Sequence, residues 1–380
     1  MRSWLTYIFL LMVACGTVLT SCSDVLSEEG LGTCDDRTTV RLTISFGGDD
    51  DPMSRDVGSD SAPEDDDLDE TTPEQAVIDG SDVYALVVDA KDNFLYRIED
   101  LHITAGPVSD GYYTRTLEGT MIQTSEQVRI VLLANLKQNN IQALTNTTPE
   151  AFIDTFKDQD VENLYNQLIY NYDGTTTPWT VTGENARRIP MWGQSQLTTV
   201  PPTPGLSLDC YLYRAVAKVQ IWVDKKTGIQ SNYGDFIINK IIVNKANDKG
   251  YCVHVANEQP GSDIDVQYTT PKVPSSVETQ NIVYNVANAD SNNDGFNDAR
   301  EAFSDMIYLP EQDIEEQGLT ITIEYEFAGK FDSGTITFEE DVIRNHSYIF
   351  NINKNVNGEI VVNYCVTDWE EKNIDVPSFN

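Results

Sequence analysis

The sequence predicts a mostly β protein, built as two tandem β-sandwich domains with a short helical insertion in the first. Three observations lead there. Apolar and polar residues alternate with a period of two along most of the chain. The alternating runs are short and are separated by Gly, Asn, Asp and Pro. Near the middle, Val200-Pro201-Pro202-Thr203-Pro204-Gly205 interrupts the pattern, and prolines without a backbone donor followed by glycine make a natural joint. The domains are therefore set at 22–203 and 204–380. At 380 residues with 40 % hydrophobic content, the chain can fill two cores of ordinary size.

The N-terminus is a separate element. Arg2 supplies a positive charge, and Leu5 to Ala14 is almost unbroken apolar sequence, the length of an export-signal core and too short to span a bilayer. Leu19-Thr20-Ser21-Cys22 follows: a bulky residue, two small ones and a cysteine. That is the pattern read by lipoprotein signal peptidase, with the thiol of Cys22 carrying the lipid. Residues 1–21 are thus a lipoprotein signal peptide, and Met12-Val13-Ala14-Cys15 is a weaker competing site. No later apolar run reaches the ~18 residues of a membrane helix. An acylated (palmitoylated) Cys22 is then the expected attachment to the outer membrane, on the cell surface.

The first strand follows. Val40, Leu42, Ile44 and Phe46 share one face, with Arg41, Thr43 and Ser45 on the other. An acidic linker at 47–75 comes next; between Asp49 and Glu70 its only base is Arg55. Val83 to Val88, Phe94 to Ile98, Tyr112 to Leu117 and Val128 to Leu136 continue the strand pattern. From Pro149 to about Tyr170, Phe152, Phe156, Val161, Leu164 and Leu168 recur at helical spacing and predict the insertion. Beyond the joint, strands are expected over Leu206 to Val223 (long enough to bend or bulge), Phe236 to Val243, Leu319 to Phe327, Thr335 to Phe338, Tyr348 to Ile352 and Ile360 to Val366. A tail at 370–380 carries Ile374 and Val376 in alternation, with Phe379 as a further anchor.

Charge and motifs narrow the function. A net charge of −36 argues against nucleic acid and anionic membrane surfaces as partners. Cys34, Cys210, Cys252 and Cys365 lack CxxC spacing; disulfides are permitted, and isolated buried thiols fit equally well. GxSxG, HExxH, P-loop and dinucleotide fingerprints are missing, and only three histidines exist, so no catalytic residue is assigned and the chain is not expected to be an enzyme. No cofactor is certain. One segment offers a structural calcium site, since Asp290, Asn292, Asp294, the Phe296 carbonyl, Asp298 and Glu301 fit the D-x-[DN]-x-[DN]-G-x5-E loop. Calcium takes six to eight hard oxygens, and Gly295 permits the sharp turn. Asn297 stands where a helical hand packs an aliphatic residue, so the loop reads as a solitary one; a polar Asn/Asp/Gly turn is the alternative.

A set of landmarks in order resembles the FimA-type fimbrillins, lipoprotein precursors of fimbrial subunits in Gram-negative gut and oral anaerobes. They are Cys22; the strand Thr39 to Phe46; the acidic stretch with Arg55; Val83 to Asp89; Val128-Arg129-Ile130-Val131-Leu132-Leu133-Ala134-Asn135; and Arg188-Ile189-Pro190-Met191-Trp192-Gly193. Tyr213-Arg214-Ala215-Val216-Ala217-Lys218-Val219, Arg344-Asn345-His346-Ser347-Tyr348 and Cys365-Val366-Thr367-Asp368-Trp369 complete them. The resemblance implies transthyretin-like sandwiches and a structural role in a fimbria (pilus) that supports cell adhesion. It also implies a mechanism: a trypsin-like protease cuts after Arg55, the first strand (Val40, Leu42, Ile44, Phe46) leaves, and a strand from another fimbrial subunit replaces it. Ile374, Val376 and Phe379 would then be donor-strand residues, on a segment reaching about 36 Å when extended. A lipid-anchored fimbrial anchor or a tip accessory protein is an alternative. Such an anchor would keep its lipid and first strand. A surface glycan-binding lipoprotein is the rival from another class, with Trp179, Trp192 and tyrosines as sugar-stacking platforms.

Overall fold

A computed structural model of the chain describes residues 37–46, 80–109, 112–173, 179, 187–202, 205–223, 236–254, 270–285, 307–327, 329–354 and 360–368. The chain is mostly β, as its alternation predicts.

The first sheet is built from β1 (Arg37–Phe46), β2 (Val83–Asp89), β3 (Phe94–Ile98), β4 (His102–Ser109), β5 (Tyr112–Ile122) and β6 (Thr124–Ala134), joined by strands from later in the chain. β2 and the second half of β6 lack alternation because both of their faces are covered: Val83 to Val88 and Val128 to Ala134 are all buried, Arg129 among them. Part of that cover is the insertion, α1 (Pro149–Asp154) and α2 (Val161–Tyr165), whose Ile153, Val161, Leu164 and Tyr165 are buried. Each helix starts where its sequence says: Thr148 caps α1 by accepting from the Ala151 N–H, with Pro149 at the first position, and Asp160 caps α2 through the Glu162 N–H.

The single helix expected over 149–170 is therefore two short ones. The break is a turn at Asp158, with φ of 64°, whose N–H donates to the Phe94 carbonyl while the Phe94 N–H donates to Gln159. Backbone pairing to β3 outcompetes a continuous helix there. The insertion ends in β7 (Ile169–Asn171).

β8 (Met191–Gln194), β9 (Thr198–Val200) and β10 (Leu206–Arg214) complete the first sheet. Its order is β3-β2-β6-β8-β10-β1-β5-β4, with β9 on the side of β6. The sheet curls until β3 meets β5: the Ile122 N–H donates to the Tyr96 hydroxyl, and a Cβ at Gly119 would stand 2.8 Å from Ile98 Cγ2. The joint drawn at Thr203 and Pro204 does not separate the sheets, because the strand after it, β10, pairs with β1 and β8. The change comes at Ala215-Val216, where the expected long strand over 206–223 divides into β10 and β11 (Ala217–Val223).

The remaining strands are β12 (Phe236–Asn247), β13 (Lys249–Tyr251), β14 (Thr279–Asn285), β15 (Ile307–Leu309), β16 (Thr320–Phe327), β17 (Lys330–Thr337), β18 (His346–Lys354) and β19 (Ile360–Asp368), with one helical turn, α3 (Ile314–Gln317). All but β13 join β11 in two four-stranded sheets, β15-β11-β18-β19 and β14-β12-β16-β17. Both contribute to a common core, in which Phe338 lies edge-on to Phe350 and beside Tyr348. A two-stranded ladder of β7 with β13 ties the insertion to this second group of sheets. Gly250 permits that ladder, since a Cβ there would meet the Tyr170 hydroxyl at 2.3 Å. Cys210 and Cys252 are both free and buried, so of the two cysteine readings, isolated thiols hold for this pair.

Candidate functional site

Of the sequence-derived site residues, the first strand falls within the described structure. Cys22, Arg55, the calcium loop (Asp290, Asn292, Asp294, Phe296, Asp298, Glu301) and the tail residues Ile374, Val376 and Phe379 lie outside the described residues, as does Trp369.

β1 occupies a slot between two long strands. It runs antiparallel to β5, from Arg37 beside Ile122 to Ser45 beside Thr114, and parallel to β10, from Val40 beside Leu206 to Phe46 beside Leu212. Its period-2 pattern places Thr38, Val40, Leu42 and Ile44 inward, all 5 % exposed or less, while Arg37, Thr39 and Arg41 face out. Thr38 extends the inward row one step earlier than its apolar members indicate. The inward positions in register are Arg115, Leu117, Gly119 and Met121 of β5, with Arg115 beside Ile44 at one end, and Leu206, Leu208 and Cys210 of β10. Each of Val40, Leu42 and Ile44 contributes roughly 1.5–3 kcal/mol by burial. Gly205 opens β10 with φ of 108°, a conformation that glycine adopts at little cost, within 3.4 Å of the Thr39 carbonyl measured from an ideal Cβ.

Two consequences follow from this placement. Both flanks of β1 are long paired strands, so its departure would expose two ladders and an apolar trench at once. β1 is also the first of the described strands in chain order, so only the segment after it links it to the other described strands.

The outward face carries charge. Arg41 donates from Nε and Nη2 to Glu118 Oε1 at 2.7 and 2.5 Å. Asp209 of β10, exposed, lies in register with Thr43 on the same side. On the inward side Cys210 is fully buried beside Ile44, and burial, with Asp209 next to it, pushes its thiol well above the ordinary range. Cys210 is therefore expected to be inert to a thiol reagent in the native chain and to react when β1 is released. Cys252, buried elsewhere, serves as the internal control and stays protected. Thiol labelling followed by peptide mapping checks this.

The landmark motifs are structural ties. Asn135, at φ of 61° just after β6, donates from its amide to the Ile189 carbonyl at 2.8 Å, and Asn139 donates to Arg188 and Asn135 carbonyls. Asn345, at φ of 57°, accepts from the Arg214 N–H and Nη1, each at 3.2 Å. Arg344 donates to Glu311 Oε2 from Nε at 3.0 Å and from Nη2 at 2.7 Å, and to the Tyr251 and Cys252 carbonyls. His254 Nδ1 lies 3.2 Å from the other oxygen of Glu311. His346 sits at the start of β18 with Nδ1 2.7 Å from the Arg344 carbonyl, a turn residue as its position implies.

The tryptophans proposed as sugar platforms are core residues. Trp179 is 8 % exposed, stacks on Tyr172 at 4.8 Å, lies under the Arg187 guanidinium and donates to Asn139. Trp192, 1 % exposed, packs against Tyr165 and Tyr213. Sequence reading also missed Glu118, Asp209 and Cys210, whose relation to β1 is made by pairing between distant strands. Only the Arg41 side of the charge pair lies within a legible pattern.

The family model for the fimbrillin-A associated anchor proteins Mfa1 and Mfa2 matches residues 34–375. The chain belongs to this family. It is a fimbria-associated protein, and the resemblance read from its landmarks holds at that level; the matching family is described by its anchor proteins, not by the FimA-type fimbrillin named from the sequence. Among solved structures, it is similar to a fimbrial assembly protein from Parabacteroides distasonis, at 15 % identity over 88 % of this chain and 96 % of that one, with a TM-score of 0.49. It is also similar to the fimbrial anchor protein Mfa2 from Porphyromonas gingivalis, at 9 % identity over 87 % of this chain and 98 % of that one, with a TM-score of 0.31. No curated protein sequence matches the chain.

Proposed function

We propose that this protein is a structural, non-catalytic anchor subunit of a fimbria, tethered to the outer membrane by a lipid on Cys22 and keeping β1 seated in its own slot. The observation that carries the reading is the placement of β1: an N-terminal strand, joined to the membrane-proximal end of the chain, is held on both sides by ladders and by three fully buried side chains. A lipid on such a strand transmits its hold to the whole sheet. The partners are other fimbrial subunits, and the family to which the chain belongs supports that association.

The second reading is a released, polymerising subunit. Arg55 within the acidic linker and the alternating Ile374 and Val376, with Phe379, favour it. In that case a trypsin-like protease cuts after Arg55, β1 departs with the lipid and strand exchange follows. Mass analysis of the mature surface protein separates the two. An acylated N-terminus at Cys22 is expected; a start at Asp56 overturns the anchor role.

The loop at 290–301 adds one structural calcium ion, held by Asp290, Asn292, Asp294, the Phe296 carbonyl, Asp298 and Glu301. Calorimetry is expected to show binding heat at millimolar calcium that is lost in Asp294→Ala. An absence of heat in the unaltered chain removes the ion from the reading.

A further inference from the structure

We propose that the outward side of the first-strand slot selects its occupant by charge, accepting a β-strand with a cation at the position Arg41 holds and disfavouring one with an acid there. This rests on the second reading above, in which β1 leaves its slot and another strand enters it. The inward side discriminates little, because an apolar trench takes any strand with suitable alternate side chains. The outward side differs. β5 contributes Glu118, bonded to Arg41 through two nitrogens, and on the other flank β10 contributes Asp209, beside Thr43 and two register positions beyond Ser207, the β10 partner of Arg41. A carboxylate thus stands on each flank of the outward face, Glu118 paired with the Arg41 guanidinium and Asp209 beside the next outward residue, Thr43.

The Arg41 and Glu118 side chains are 63 % and 39 % exposed, so the attraction is screened and its weight lies in its sign. An acid at position 41 exchanges an attraction for like-charge opposition. The chain's own C-terminal segment brings such an acid. Asp375 lies between Ile374 and Val376. Any seating, in either direction, that puts those two apolar residues at neighbouring inward positions among 40, 42 and 44 turns Asp375 outward at 41 or 43. At 41 it faces Glu118; at 43 it lies beside Asp209. The slot therefore disfavours a second copy's tail and fits β1, or a partner strand with Lys or Arg between its apolar residues.

The test uses the full mature chain with a protease site placed in the 47–75 linker and cut, leaving β1 seated without a covalent link. Labelled synthetic strands are then offered in excess and their incorporation read by native mass spectrometry. The strands are residues 37–46, the same with Arg41→Asp, residues 370–380, and the same with Asp375→Arg. Each cationic strand is expected to enter about threefold better than its acidic counterpart, and Glu118→Arg with Asp209→Arg in the protein reverses that order. Equal entry of the paired strands overturns the proposal. If no strand enters, not even 37–46, the exchangeable slot itself fails, and the charge reader is judged in the uncut chain. There Arg41→Glu lowers the melting temperature and adding Glu118→Arg restores it; no restoration overturns the proposal.

Discussion

Leu42→Ala is expected to lower the stability of the chain by about 2–5 kcal/mol, measured as a shift of the denaturant midpoint. Leu42 is fully buried at the middle of the inward row, with Leu117 on one side and Leu208 on the other. Its truncation loses the transfer free energy of the side chain and leaves a cavity walled by ladders that cannot collapse inward. The same change at Thr39, outward and exposed, is expected to stay within about 0.5 kcal/mol. The contrast isolates the trench from strand propensity. Loosening β1 also opens the space over Cys210, so in Leu42→Ala that thiol is expected to label faster than Cys252.

Glu311→Leu is expected to cost about 3–5 kcal/mol, because it leaves the guanidinium of Arg344 buried without its counter-charge. Both side chains are 1 % exposed, and Arg344 joins three segments: the chain after β13, the stretch before α3 and the entry to β18. The double change Arg344→Met with Glu311→Leu is expected to recover much of the loss, since two apolar groups replace a pair whose desolvation was costly. The pair also sets a pH dependence. Burial by itself raises the Glu311 carboxyl, but the Arg344 charge and the bond and charge of His254 outweigh it, so the folded value lies below the usual glutamate range. A depressed folded value stabilises the native state fully above the unfolded pKa of about 4.3 and loses that stabilisation as pH falls through the folded one. Acid titration of the folding midpoint is therefore expected to be shallower in Glu311→Gln than in the unaltered chain.

The landmark residues explain part of what can be read without a structure. Asn135 and Asn345 stand just past a strand and just before one in the sequence, and both have left-handed backbones, which asparagine tolerates better than most residues. Their side chains then bind segments far away in the chain, the 187–190 stretch and Arg214. The residue type is visible locally; the partner is not. The helical insertion failed in the opposite direction. Phe152, Phe156, Val161, Leu164 and Leu168 do recur at helical spacing, but a backbone exchange with Phe94 breaks the run at Asp158. A turn stabilised from outside leaves little mark on its own sequence.

The first strand divides the two kinds of information most cleanly. By itself the sequence determined that Val40, Leu42 and Ile44 face one way and Arg41 the other, because side-chain direction in a strand depends only on the residue's parity. It also determined the apolar signal before Cys22 and the acidic linker with Arg55, which are matters of composition. Only the tertiary structure decided that β1 is an interior strand, that its neighbours are β5 and β10, that one pairing is parallel, and that Glu118, Asp209 and Cys210 line its slot. Those relations join residues distant in the chain, as with Arg41 and Glu118 at a separation of 77. Strand pairing is set by which apolar faces the folded sheet brings together, and no local period encodes that choice.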